Sequence, residues 1–273
     1  MLTGLLHLSG VELGPSLLPP SSDNPKGFFE SVNLVKINYT LLNSLYNEFR
    51  MTAPFPEGWL ELPLVQSYKQ LIQMAVEEDF PTTGLFALKD PRLCLVYPLW
   101  DQIFQEMDIE RKVLLIIRPP LEVAQSLAVR NNFSLTQSIM LWMVHVLQAE
   151  KNTRHLNRIV FTYDDVLRNW SSVIEIIESQ FKFTFPRKNI GTKAAIDEFI
   201  SEELYHQRST QIEFETPILE MVLSTANILM ELLIKEKKEG RIVANKDDIE
   251  ELHRIFELIR KSFLSNETIP NLF

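Results

Sequence analysis

Apolar residues recur along this chain in two periods, and the change from one to the other divides it. Over residues 1–9, 31–48 and 63–78 they return every three or four positions, as on one face of a helix. Val32, Val35, Leu41, Leu42 and Leu45 form a broad stripe in the second of these. Gly10 stands where a helix C-cap belongs, and the following "GPSLLPPSSDNPKGFFES" is a loop by its Gly, Pro, Ser and Asn content. From about residue 84 short continuous apolar runs appear. "GLFALKDP", "KVLLIIR" and "NRIVFTYDD" predict three buried strands, with helices between them over "LVYPLWDQIFQEM", 120–130 and 135–152. Strands alternating with helices imply a parallel sheet with helices on both faces, an α/β fold. Beyond residue 170 the pattern is helical again, at 171–181, 216–238 and 247–263.

Composition narrows the classes of function. With 273 residues, 45% of them hydrophobic, the chain is long enough for one sizeable core with a helical appendage. A formal net charge of −9 argues against general nucleic-acid binding, which needs a basic surface, so any anion site must be concentrated. The single cysteine, Cys94, has no internal partner, and the histidines show no CxxC, HExxH or comparable spacing. No metal site is predicted. The start "MLTGLLHLSG" lacks a secretory pattern, and no uninterrupted apolar run approaches the roughly 20 residues of a membrane span. The expectation is a cytoplasmic protein without a transmembrane segment.

In an open parallel sheet, ligands bind beyond the carboxyl ends of the strands. Here those ends carry Lys89 and Asp90, then Arg118, then Tyr163 and Asp164: cations and an aromatic ring, the raw material of a nucleotide site. Pro119 and Pro120 stop the second strand and start a helix, which puts Ser126 on its second turn. A guanidinium at the strand end and a hydroxyl up the next helix can reach one oxyanion. Alternatively Arg118 is a structural ion-pair partner and Ser126 a small residue packed against the sheet.

"RPPLEVAQSLAVR" resembles the 3′-phosphate-binding motif of the sulfotransferase family, which uses 3′-phosphoadenosine-5′-phosphosulfate (PAPS). That motif has an arginine ending a strand, a proline, and a serine eight positions after the arginine; Arg118 and Ser126 fall on those positions. "LLHLSGVELGPSLLPPSSDNPKGFFES" is similar to the segment that follows the phosphosulfate loop in bacterial-type sulfotransferases, and "LKDPRLC" to their second strand unit. "FTYDDVL" resembles their "Y-[ED]-D" element, and the likeness runs over residues 1–210. It implies a three-layer α/β/α, P-loop-NTPase-like domain, with 211–273 as a C-terminal helical extension packed on the same domain. The implied reaction is transfer of a sulfonate from PAPS to a hydroxyl of a carbohydrate or small molecule, without a metal.

The same resemblance assigns roles. Tyr163 would lie near the adenine, or else simply cap a strand. Lys89 would contact the transferring sulfonate or bridging oxygen, unless "KDPR" is a self-neutralising turn. Arg92 would bind the anion or hold Asp90. With no histidine placed after Lys89, Glu30 of "NPKGFFE" is the candidate general base, or else a first-turn residue favoured by the helix dipole. Asp164 and Asp165 would cap the next helix. "EELYHQRST", with His206 and Arg208, resembles a bacterial element of the form "LRHHR", in which Arg208 would close over the cofactor.

One family element is not found: the first strand and its "RSGTS"-like loop, whose backbone N–H groups hold the 5′-phosphosulfate. The matching helix begins at Met1, so strand and loop would lie before it or be gone. The first case makes the chain the greater part of an enzyme, and the second a non-catalytic binding or scaffold protein. A nucleotide kinase of related fold ranks behind both, since there is no GxxxxGK[ST]. The helices at 216–238 and 247–263 would cover the sheet or form a homodimer contact.

Overall fold

The structure, a computed structural model, describes residues 1–21, 24–46, 55, 57–81, 84–200 and 216–266. Among these it is mostly helical with a short two-stranded parallel sheet, a mixed α/β arrangement. In chain order come α1 (Leu2–Leu8), α2 (Val32–Tyr46), a 3-10 turn (Trp59–Glu61), α3 (Pro63–Asp79), α4 (Leu93–Glu106) and β1 (Lys112–Ile117). Then follow α5 (Pro120–Asn131), α6 (Leu135–Thr153), β2 (Asn157–Thr162), α7 (Tyr163–Arg168), α8 (Trp170–Phe181), α9 (Ile190–Phe199), α10 (Pro217–Glu239) and α11 (Lys246–Asn266). The chain groups into two compact units: described residues within 1–46, 55–116 and 155–200 form the first, and 117–154 with 216–266 the second. The boundary read at 210/211 falls outside the described residues.

In the first unit, Leu2, Leu5 and Leu6 of α1 form a core with Ile159 and Phe161 of β2 and Val173, Ile177 and Phe181 of α8. Helix α1 comes so close to its neighbours that a Cβ on Gly4 would stand 2.4 Å from the Phe199 ring. Three strand expectations change. "GLFALKDP" forms no strand; it makes one parallel bridge, Phe86 with Glu12, in which Glu12 N–H donates to Leu85 O and Ala87 N–H to Glu12 O. The ladder stops there because Asp90 accepts from the Arg92 backbone N–H, turning the chain into α4. The third strand ends at Thr162 instead of running through the aspartates, because Thr162 starts a helix there. Its hydroxyl accepts from Asp165 N–H at 3.2 Å while Asp165 Oδ2 accepts from Thr162 N–H at 2.7 Å, a reciprocal cap. Asp164 and Asp165 are therefore first-turn residues and Thr162 is the cap. Nor is β1 the deeply buried strand its apolar run suggested: Ile116 is 43% exposed, and the buried strand is β2, through Ile159, Val160 and Phe161.

The second unit packs α5, α6, α10 and α11 together. Ser134 and Gln137 form a capping box that starts α6, whose Ile139, Met140, Met143, Val144 and Leu147 are fully buried. Helix α10 buries Leu219, Val222, Leu223, Ala226, Leu229, Met230 and Leu233, and α11 buries Ile249, Leu252, Phe256 and Ile259, both at helical spacing. With 23 residues, α10 is long and apolar enough to cross a membrane by length and composition, although Glu220 and Glu231 interrupt its apolar run. In the structure its apolar stripe is core of the second unit.

Candidate functional site

Glu30 and Lys89, named separately from sequence as base and cation, meet in the first unit. The Lys89 ammonium donates to Glu30 Oε1 in a short ion pair and reaches Phe28 O at 3.4 Å. The carboxylate is nearly covered, with 6% of its side chain exposed, whereas Lys89 keeps 37% in water. Burial pushes the Glu30 carboxyl above the usual carboxylate range; the Lys89 ammonium pulls it back, Asp90 adds to the rise and Arg92 opposes it.

Several contacts fix the backbone that carries Glu30. Leu18 N–H donates to Glu30 O at 2.8 Å and Val32 N–H to Ser16 O at 2.9 Å, around an antiparallel bridge of Leu17 with Ser31. Phe29 holds a left-handed φ of 57°, and its ring meets Phe199 edge-on at 5.5 Å. Ser31 donates its hydroxyl proton to Asp79 Oδ2 at 2.9 Å and accepts from Leu34 N–H at 3.4 Å, and Asn33 Nδ2 donates to Asp79 Oδ1 at 3.3 Å. A buried carboxylate at the end of α3 thus tethers the start of α2, the residues right after Glu30.

Beside Lys89 lies a second buried carboxylate, Asp90. It accepts from Arg92 through Nη1 at 2.8 Å and backbone N–H at 2.9 Å, and from Asn38 Nδ2 at 3.0 Å. Asn38 Oδ1 in turn accepts from Trp100 Nε1 at 3.0 Å. Of the two sequence readings of "KDPR", the Asp90–Arg92 half is the self-neutralising turn and Lys89 is engaged elsewhere. Lys89, Asp90, Asn38 and Trp100 line a small pocket with Leu13, Phe29, Leu34 and Leu93. Sequence reasoning overlooked Asn38 and Asp79, although a signal was there: each falls within the apolar stripe of its helix, beside Leu41 and Leu42 or Ala75 and Val76.

The nucleotide candidates are distributed differently. Arg118 and Ser126 lie in the second unit and Tyr163 in the first. Arg118 Nε donates to Glu122 Oε2 at 3.0 Å, and its backbone carbonyl accepts from Trp142 Nε1 at 3.1 Å. Arg118 thus has an ion-pair partner, a carboxylate four residues on that the motif reading passed over. Ser126 sits half-buried on α5, and Tyr163 is half-buried as the first residue of α7. His206 and Arg208 lie outside the described residues. Among the described residues, no three or more His, Cys, Asp or Glu side chains stand together as a metal site. No protein-family model, curated protein or solved structure matches this chain.

Proposed function

We propose that this protein transfers a sulfonate from PAPS to a hydroxyl acceptor, a small molecule or carbohydrate, on a P-loop-like sulfotransferase fold. The observation that carries the reading is the meeting of Glu30 and Lys89 from positions 59 residues apart. A carboxylate whose pKa is raised by burial is a stronger base than one in water, and an ammonium next to it can offset charge on a leaving oxygen. In the reaction, Glu30 takes the acceptor's hydroxyl proton, the acceptor oxygen bonds to sulfur, and the sulfur–phosphate oxygen bond breaks. Lys89 stabilises the phosphate oxygen released, and the products are the sulfate ester and adenosine 3′,5′-bisphosphate. Arg118 and Ser126 as 3′-phosphate partners, Tyr163 against the adenine and Arg208 over the cofactor rest on the motif resemblance.

The test is release of adenosine 3′,5′-bisphosphate from PAPS in the presence of phenolic, aliphatic and sugar hydroxyls. Glu30→Gln should lower turnover by about 100-fold or more, the usual contribution of a general base, with little change in nucleotide affinity. Absence of release from every acceptor by the unaltered chain sinks the enzymatic reading. A second reading, resting on the Arg118 and Ser126 motif alone, is a nucleotide-binding protein without turnover. That reading predicts bisphosphate binding, abolished by Arg118→Ala, with no release.

A further inference from the structure

Resting on the nucleotide reading above, we propose that Glu122 is a positioning residue: it fixes the Arg118 guanidinium for the 3′-phosphate and so sets preference for 3′-phosphorylated over unphosphorylated adenosine ligands. All the residues concerned belong to the second unit.

An arginine side chain is long and loses considerable rotamer freedom when it grips an anion, so a site that holds it beforehand gains affinity. Arg118 is held at both ends. Its carbonyl accepts from the Trp142 indole, and its Nε donates to Glu122. The holding carboxylate is the rigid member of the pair. Glu122 lies in the first turn of α5, where the helix dipole favours an acidic side chain, and only 4% of it is exposed against 21% of Arg118. A carboxylate buried that deeply costs desolvation, and as an ion pair for stability alone it gains little over an apolar residue. Contact through Nε, the side edge of the fork, fixes the plane of the guanidinium. Glu122 thus holds the guanidinium in place beforehand, at a desolvation cost that pairing for stability alone does little to recover.

Calorimetric titration with adenosine 3′,5′-bisphosphate and with adenosine 5′-monophosphate tests the assignment on the full chain. The unaltered protein should prefer the bisphosphate. Glu122→Gln should weaken bisphosphate binding about tenfold, the worth of one charge-assisted hydrogen bond, while leaving monophosphate affinity unchanged. Glu122→Asp should fall between, and Arg118→Lys, which keeps charge but has no Nε edge, should lose the same preference. A general loss of structure would lower both affinities together, so the ratio separates positioning from stability, and Arg118→Lys keeps the test alive if Glu122→Gln fails to fold. Retained preference in Glu122→Gln, or tighter bisphosphate binding, overturns the positioning role while leaving the phosphate site intact. No preference in the unaltered protein overturns the nucleotide reading and this proposal with it.

Discussion

The two units differ in how they bury acidic side chains. In the first, Glu30 and Asp79 are met by Lys89 and by Ser31 and Asn33, partners 46 to 59 residues away in sequence, and Asp90 by the distant Asn38 as well as by its neighbour Arg92. In the second, Glu122 and Glu150 are met by Arg118 and Arg154, each four residues distant. A local pair forms as soon as its turn of chain forms. A distant pair requires the tertiary structure first, because loop closure must be offset before the contact contributes. The candidate catalytic groups thus belong to the class of contact that reports on the whole first unit, and the Arg118 pair to the class that a single helical turn can hold.

The comparison breaks most visibly at Lys89. Lys89→Ala leaves the Glu30 carboxylate buried without its cation, and breaking a buried pair from one side costs about 3 kcal/mol, toward the low end because the amine is partly hydrated. The chain should melt lower by roughly 2–4 °C per kcal/mol, read by circular dichroism. Lys89→Ala with Glu30→Gln should recover most of the loss. If the double variant melts no higher than the single, the pair does not act as a unit.

Next in size is Asp79. Asp79→Ala strands the buried Ser31 hydroxyl, a cost of about 2 kcal/mol, while the exposed Asn33 amide turns to water. It also loosens the segment bearing Glu30, so turnover should fall further than stability explains. In the second unit the matching change, Glu150→Gln, should cost about 1 kcal/mol or less, because Gln still accepts from Arg154. Arg154 also donates to Ala244 O at 2.7 Å. Urea unfolding of the two variants ranks them, and equal losses would erase the distinction between distant and local partners.

What the sequence disclosed follows the same division. Periodicity placed α3 and α6 within a residue or two, because each buries one continuous stripe. It missed α9, which buries only Ile196 and leaves Ile190 87% exposed, so hardly any stripe was there to read. The apolar run at 84–89 looked like a strand, but strand identity depends on a partner's ladder, and a single bridge to Glu12 is all this one forms. Glu30 and Lys89 were legible as candidate groups while their meeting was not, since no local pattern encodes a contact across 59 residues. Glu122 was legible in principle, four residues from Arg118 and in the first turn of a helix that the prolines announce.

Protonation should separate the units by sign, with the smallest effect of the three. Glu30 has its pKa raised, chiefly by burial, so its contribution to stability is complete below the ordinary carboxylate value and declines as pH rises through the folded one. His253 in α11 has its pKa lowered, first by burial and then by Lys151, with Glu257, Glu250 and the Leu147 backbone opposing; its Nε2 is buried without a hydrogen-bond partner among the described residues. Its contribution is complete above the ordinary imidazole value of about 6.5 and is lost as pH falls toward the folded value. Urea midpoints for the unaltered chain, Glu30→Gln and His253→Gln at several pH values between 4 and 8 would resolve the two slopes. Removing Glu30 should make stability rise more steeply with pH at the acid end, and removing His253 should flatten the rise just below neutrality. Parallel curves for all three proteins would mean that neither group couples protonation to folding, and that the contrast between the units is one of contact distance alone.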